Sequence, residues 1–305
     1  MLEKAELTLI IMLSKTKKVI TTPPPVLCSV ASCKLFYSTV QRVGTLSLLF
    51  VPPAEGGGME IIMKNIKVKK TVYIVLVILG LFIVQTFASK LGGFIADLIQ
   101  YAVIDKDGTF MSISVHHIIQ MIVALVLIFV ISKKSDLEFW LKPRLNKSGI
   151  LYTTIFDIVI LMYVLISYIV GYSLNTIVPY AYELNISNVL GTLGFQLFLS
   201  GTSEEILFRA LPITVLGGVI GKDKKGYAFI IVIASVLFSA AHIQWTLFPV
   251  SLTFSWFQLI YAFILGIAYG LTYVKSESII YPMIMHGLSN FFMVGMGYIF
   301  ITVMN

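Results

Sequence analysis

Long apolar runs dominate residues 70–304 and restrict the folds that this 305-residue chain can adopt. Runs of about 20 apolar residues, folded as helices, match the hydrocarbon thickness of a bilayer. In lipid every backbone polar group needs a partner within the protein, so helices and closed barrels are the structures that can span it. A barrel sequence shows short segments of alternating hydrophobicity, a pattern that this chain lacks. We therefore predict an all-α, polytopic helical membrane protein.

The number of spans follows from the apolar runs. Charged residues make up 12% of the chain, about half of the roughly 25% typical of soluble proteins. The last run contains Gly295 and Gly297, and a helix break there would raise the number of spans from seven to eight. The seven predicted transmembrane helices cover residues 70–89, 112–132, 150–172, 187–216, 227–244, 255–274 and 278–304.

Basic residues are unevenly divided between the two sides of the predicted spans. The positive-inside rule places the richer side in the cytoplasm. The chain is thus predicted to be a multi-pass protein of the cell membrane with a cytoplasmic N-terminus. The net charge of +7 lies in short loops rather than on one basic face, which argues against nucleic acid as a partner. The richer side carries Lys64, Lys67, Lys69, Lys70, Lys133, Lys134, Lys142, Arg144, Lys147, Lys222, Lys224, Lys225 and Lys275, and the other side Lys90 and Lys106.

Residues 1–58 differ from the rest of the chain. They contain both cysteines, Cys28 and Cys33, but no clean apolar run of spanning length. The run Glu-Gly-Gly-Gly before Met59 is what a purine-rich bacterial ribosome-binding site encodes when it is translated. We therefore predict a bacterial source, a natural start at Met59 and a non-native extension over 1–58, the alternative being a disordered N-terminal extension. Residues 59–305 are predicted to form a single membrane domain.

Ionisable and strongly polar side chains interrupt the second half of this membrane domain. Placing such a side chain within a span costs about 3 kcal/mol on insertion scales, so each one is a hypothesis for a functional site. The interrupting residues are Glu204, Glu205 and Arg209 in the fourth predicted span, His242 at the end of the fifth, and His286 and Asn290 in the last.

Helical spacing divides these residues into groups. Glu205 and Arg209 are four residues apart, so they can pair on one face. Glu204 points about 100° away from Glu205, and we predict that it faces an aqueous cavity. His286 and Asn290 are also four residues apart, so both side chains can reach one point.

Structural explanations compete with functional ones for several of these residues. A buried Glu–Arg pair can be purely structural, and Asn290 could form only an interhelical hydrogen bond. His242 could be an interfacial histidine at a span end. For His116 and His117 in the second span we favour that interfacial interpretation, with no role in a site.

These residues carry a resemblance to a known family. The chain resembles the CAAX-processing and bacteriocin-immunity proteases (the CPBP, or Abi, family of intramembrane endopeptidases) over about residues 187–295, the predicted catalytic core. One departure is Ala210, where glycine often follows the arginine of the first motif. The matching motifs are E-E-x-x-x-R at Glu204, Glu205 and Arg209; F-x-x-x-H at Phe238 and His242; F-x-x-G-x-x-x-G at Phe263, Gly266 and Gly270, whose glycines also predict close helix packing; and H-x-x-x-N/D at His286 and Asn290.

The resemblance implies hydrolysis of a peptide bond within the membrane. A carboxylate in an apolar cavity can act as the general base for water, which is the role expected for Glu204, aided by His242. His286 and Asn290 are expected to donate hydrogen bonds to the developing oxyanion. The supporting residues are expected to be Glu205, Arg209 and Phe238.

Participation of a metal ion is a second possibility for the same site. Glu204, His242, His286 and Asn290 could hold zinc with an open position for water. Asparagine is an uncommon zinc ligand, and the family is read both as a metalloprotease and as a glutamate-dependent protease. We favour metal-independent activation of water by Glu204.

Two other classes of function compete with the protease. In a polytopic transporter the buried Glu and His groups would form a proton relay, and in a non-catalytic immunity or scaffold protein they would only support the fold. For the protease, the expected partners are the lipid bilayer and a membrane-associated peptide or protein as substrate.

Overall fold

The computed structural model describes residues 57–247 and 250–304, with side chains over 68–246 and 250–303. The predictions for residues 1–56, including the non-native extension, lie outside the described residues. The chain divides into two compact units, residues 1–71 and 72–305. Every site discussed below lies in the second unit.

Helices make up most of the described chain. α1 spans Gly57–Asp97, α2 Met111–Ser132 and α3 Lys147–Ser173. A short loop separates α3 from a long helical run over 186–220, described in the next paragraph. The later helices are α7 at Lys224–Ala240, α8 at Trp256–Ser276 and α9 at Ile280–Met304.

The helical run over 186–220 contains two π-helical turns. The turns are Phe195–Ser200 and Ile206–Ala210. The backbone stays in the right-handed helical region through every junction, so the run is continuous but its side-chain register shifts at each turn. Pro212, in the first turn of the last segment, has no N–H to continue a regular ladder. The α-helical segments are α4 (Ile186–Gly194), α5 (Gly201–Glu205) and α6 (Leu211–Ile220).

A small antiparallel hairpin follows α7. β1 covers Gln244–Leu247 and β2 covers Val250–Thr253, with Gln244 opposite Thr253. The fifth predicted span, 227–244, therefore ends four residues earlier as a helix than its apolar run does. Apolar residues such as Ile243 continue past Ala240, which is why the run alone did not reveal the end of α7.

Five helices of the described chain are long and apolar enough to cross a membrane. They are Val68–Asp97, Met111–Ser132, Lys147–Ser173, Trp256–Ser276 and Ile280–Val303. The prediction of seven spans is thus not confirmed, because the π-helical turns divide the run over 186–220 and α7 has only 17 residues. The alternative of a helix break at Gly295 and Gly297 is not observed, since α9 continues through both glycines.

The main buried cluster joins α1, α2, α7, α8 and the later part of the run over 186–220, and a second cluster joins α3, α8 and α9. A Cβ atom added to Gly266 would lie 2.9 Å from the Cβ atom of Ser235, and one added to Gly270 would lie 2.9 Å from Ile231. α7 and α8 therefore approach closely along the two glycines, as their spacing predicts. This packing holds Phe238 and Tyr269, which line the candidate site, on facing helices.

Contacts between loops show which helix ends lie on the same face of the helical bundle. On one face, Ile279 donates its backbone N–H to the carbonyl oxygen of Trp140 at 3.0 Å, and Trp140 and Lys222 line the same small cavity. On the opposite face, Asn188 donates to Asp107 at 2.5 Å. The pairing of loops agrees with the alternation of sides predicted from the basic residues. Which face is cytoplasmic stays a prediction.

Candidate active site

The Glu205–Arg209 pair lies at the centre of the site and is fully buried. Glu205 Oε2 is 3.2 Å from Arg209 Nε, and neither side chain has exposed surface. The pairing predicted from the i,i+4 spacing is confirmed. The guanidinium carbon lies 4.2 Å from the ring centre of Phe238 and 5.3 Å from that of Tyr269. These aromatic faces offer a delocalised cation a favourable setting in an apolar core.

The second oxygen of Glu205 holds His286. His286 Nδ1 lies 2.8 Å from Glu205 Oε1, and the imidazole stacks on the Tyr269 ring at 5.1 Å. An ionised carboxylate can only accept hydrogen bonds, so the proton of this bond belongs to Nδ1. The other ring nitrogen, Nε2, faces Glu204. Glu205 therefore orients a histidine as well as neutralising Arg209.

Glu204 has a different environment from its neighbour. Its side chain keeps 19% of its surface exposed, and its Oε2 lies 3.7 Å from His286 Nε2. That separation is too long for a direct hydrogen bond and suits one bridging water. The two adjacent carboxylates are thus split between a closed ion pair and a side chain that keeps part of its surface exposed.

His242 sits just beyond the end of α7. Its Nδ1 lies 3.0 Å from the carbonyl oxygen of Phe238 and donates to it, so that Nε2 of the neutral ring carries a lone pair. The Phe238 ring packs edge-on against both histidines, at 5.1 Å from His242 and 5.9 Å from His286. His242 also interacts electrostatically with Glu204. Phe238 is the common wall that brings the two histidines to one region.

Asn290 lies one helical turn from His286, but its side chain forms a hydrogen bond with Ser200. Its Nδ2 donates to Ser200 Oγ at 3.0 Å. Ser200 precedes Glu204 by four residues, so Asn290 borders the site without touching the carboxylate. The structure thus places Glu204 and His286 together, His242 beside them, and Asn290 at the edge.

His117 is a member of the site that sequence reasoning missed. The interfacial interpretation is wrong for this residue, because the structure buries it, with 7% of its surface exposed. Its Nδ1 lies 2.7 Å from Ser203 Oγ, and its Nε2 lies 3.8 Å from Glu204 Oε1. The available signal was its position seven residues into an apolar helix, the same criterion that selects the other intramembrane residues.

The predicted zinc ligands do not surround one point. Asn290 is bonded to Ser200, and within 57–247 and 250–304 no three His, Cys, Asp or Glu side chains are arranged to hold a metal ion. We therefore assign none of the four predicted ligands to a metal.

Comparison with known proteins agrees with the motifs. A family model described as type II CAAX prenyl endopeptidase Rce1-like matches residues 186–292, a range that includes Glu204, His242, His286 and Asn290. Neither the curated proteins nor the solved structures contain a match to the chain. The resemblance predicted from the four motifs is confirmed over residues 186–292, which match the family model of the Rce1-like CAAX endopeptidases.

Proposed function

We propose that the protein is an intramembrane endopeptidase that hydrolyses a peptide bond in a membrane-associated peptide or protein. The observation that supports this most directly is the environment of Glu204. It is a partly exposed carboxylate surrounded by histidines, inside a domain of an endopeptidase family. A carboxylate in such a position can act as a general base without a serine or cysteine nucleophile.

Each step of the reaction has a residue to carry it. Glu204 takes one proton from water while the water oxygen forms a bond to the substrate carbonyl carbon. The carbonyl oxygen becomes an oxyanion. Asn290 gives up its hydrogen bond to Ser200 and donates one to this oxyanion instead. His286 donates from Nε2 when its ring carries both protons. The C–N bond then breaks as the leaving nitrogen receives the proton held by Glu204, with His242 orienting the transfer.

The wall of the site explains how such chemistry can proceed inside a bilayer. The opposite charges of Glu205 and Arg209 balance each other. The rings of Phe238 and Tyr269 pack against Arg209 and separate the pair from substrate. A fixed, water-poor environment strengthens hydrogen bonds to a developing charge. Glu205, Arg209 and Phe238 thus support the site without entering the reaction.

One test does not require the substrate to be known. It compares membranes that contain the wild-type protein with membranes that contain an equal amount of the Glu204→Gln variant. Mass spectrometry of membrane peptides should find cleavage products only with the wild type. Glu183→Gln, a change in an exposed loop, is the matched control and should give the wild-type products. Identical peptides from wild type and Glu204→Gln would refute the protease, and proton flux in proteoliposomes that depends on Glu204 would instead support a transporter.

The purified protein permits a direct test. We expect detergent-solubilised wild type to cleave an internally quenched, farnesylated peptide with a CAAX end, the substrate type in the family's description. Glu204→Gln should lower turnover at least about 10²-fold, as loss of a general base does. A chelator such as 1,10-phenanthroline should leave turnover unchanged. Loss of turnover with chelator and its return with zinc would show that a metal-bound water replaces the metal-free step.

A further inference from the structure

We infer that His117 of α2 is a further catalytic residue, which accepts a hydrogen bond from the attacking water beside Glu204. The inference rests on the proposed function and adds a residue to it. His117 lies outside the matched domain, which begins at residue 186. The site would then be completed by a helix from the part of the chain that the four motifs do not cover.

The hydrogen bonds of Ser203 indicate which nitrogen of His117 carries the proton. Ser203 donates its single hydroxyl proton to the carbonyl oxygen of Ser200 at 3.0 Å. With that proton committed to Ser200, we infer that Nδ1 donates the 2.7 Å hydrogen bond between His117 and Ser203 Oγ. In the neutral ring this leaves a lone pair on Nε2, the nitrogen that faces Glu204. Ser203 is fully buried and acts as a positioning residue.

The separation of His117 and Glu204 allows one water molecule, placed to the side of the line between them, to bridge the two side chains. The two atoms, Nε2 and Oε1, are 3.8 Å apart, and a water about 2.8 Å from each can bridge them. Such a water would donate one proton to each atom. Both of its lone pairs would then point away from the two acceptors, which orients the oxygen to attack a carbonyl carbon.

Proton balance assigns different tasks to the two acceptors. During attack the O–H bond directed at Glu204 breaks, and that proton moves to the carboxylate. The O–H bond directed at His117 stays intact and orients the nucleophile. After the C–N bond breaks, Glu204 returns its proton to the leaving nitrogen. His117 therefore begins and ends the cycle neutral.

Packing keeps His117 at this position. The edge of its ring meets Phe195 at 5.0 Å, in the first residue of the π-helical turn Phe195–Ser200. That turn and α5 provide the surface on which α2 packs. A purely interfacial histidine would not be enclosed in this way. Within the described residues, the neighbouring His116 makes no such contact with Ser203.

The activity test uses the full chain in detergent and the farnesylated quenched peptide. His117→Ala should lower kcat about 10²-fold, as misplacement of a reacting atom can, and imidazole at millimolar concentration should restore part of it. His116→Ala, one position earlier on the same helix, should stay within about threefold of wild type. A kcat for His117→Ala within about threefold of wild type would overturn the inference. A low kcat that imidazole does not raise would also overturn it, because the role would then be structural.

A separate measurement does not depend on substrate. The chain has four histidines, so nitrogen-15 NMR of histidine-labelled wild type can be assigned with single His→Gln variants. His117 should show a protonated Nδ1 and an unprotonated Nε2, and the reverse tautomer would overturn the inference. Glu204→Gln separates the two proposals. If it is inactive while His117→Ala is fully active, only the role of His117 fails, whereas an active Glu204→Gln removes the proposed function itself.

Discussion

Adjacent residues of identical chemistry have different tasks when their environments differ. Glu205 has no exposed surface and contacts Arg209 and His286, whereas Glu204 is 19% exposed. Glu205→Gln should destabilise the protein by about 3–5 kcal/mol, because it leaves the Arg209 guanidinium buried and unpaired. Unfolding in mixed micelles, followed by circular dichroism, measures the loss.

Glu204→Gln is the matched control for that prediction. It removes the same charge one position earlier, where the side chain is partly exposed and is not paired with Arg209, so its unfolding free energy should stay within about 1 kcal/mol of wild type. A stable Glu205→Gln together with an unfolded Glu204→Gln would contradict the assignment and exchange the two roles.

At the scale of elements, the close approach of α7 and α8 sets the distance between Phe238 and Tyr269. A methyl group at Gly266 would lie 2.9 Å from the Cβ atom and 3.1 Å from the Cα atom of Ser235. Gly266→Ala should therefore separate the helices and cost about 1–3 kcal/mol, as overpacking does. Turnover should fall as well, since both aromatic walls of the site move.

Gly194→Ala provides the comparison for this helix contact. A Cβ atom at Gly194 would meet no atom within 4 Å, and alanine is favoured over glycine in a helix by about 0.8–1 kcal/mol. Its unfolding free energy should be equal to or higher than that of wild type. Equal destabilisation by the two substitutions would show that helix contact is not the cause.

The loop before α2 holds the start of the helix that carries His117. Asp105 accepts from the backbone N–H groups of Thr109, Phe110 and Met111 at 2.7–2.8 Å. Burial alone would raise the pKa of Asp105, but the hydrogen bonds from Met111, Phe110 and Thr109 outweigh it and lower the pKa. The ionised carboxylate is thus favoured in the folded protein.

This lowered pKa makes a prediction about pH dependence. Asp105 contributes its full stability above the ordinary aspartate pKa of about 4, and the contribution is lost as the pH falls through the lowered folded value. Asp105→Ala should cost about 1–2 kcal/mol at pH 7 and progressively less below pH 4. Unfolding measured from pH 7 to pH 3 tests this, with the exposed Glu183→Ala as control. A cost that stays constant with pH would contradict the carboxylate's role.

At the scale of the whole molecule, the two faces defined by loop contacts can be assigned to compartments. The positive-inside rule predicts that Lys224, on the face of Trp140 and Lys222, lies in the cytoplasm and that Glu183 lies outside. With Cys28 and Cys33 replaced by serine, no other cysteine remains in the chain. Lys224→Cys should react with an impermeant maleimide only from the cytoplasmic side, and Glu183→Cys only from outside. The reverse pattern would invert the topology.

The sequence by itself determined the class of the protein, the family resemblance of residues 186–292 and one internal contact of the site. Apolar runs indicate membrane helices because lipid admits few other structures. The Glu205–Arg209 pair follows from a spacing of four residues on one helix, and the close contact of α7 and α8 follows from Gly266 and Gly270. These features depend on local periodicity, which can be read from the chain directly.

Only the tertiary structure decided which side chains meet across helices. That His286 contacts Glu205, that Asn290 contacts Ser200, and that His117 faces Glu204 depend on helix rotation and depth. The π-helical turns at Phe195–Ser200 and Ile206–Ala210 shift the register of the central helix, so a uniform 3.6-residue period misplaces its later faces. A histidine in α2 enters the site through packing between helices distant in sequence, and no spacing within a single helix encodes that meeting.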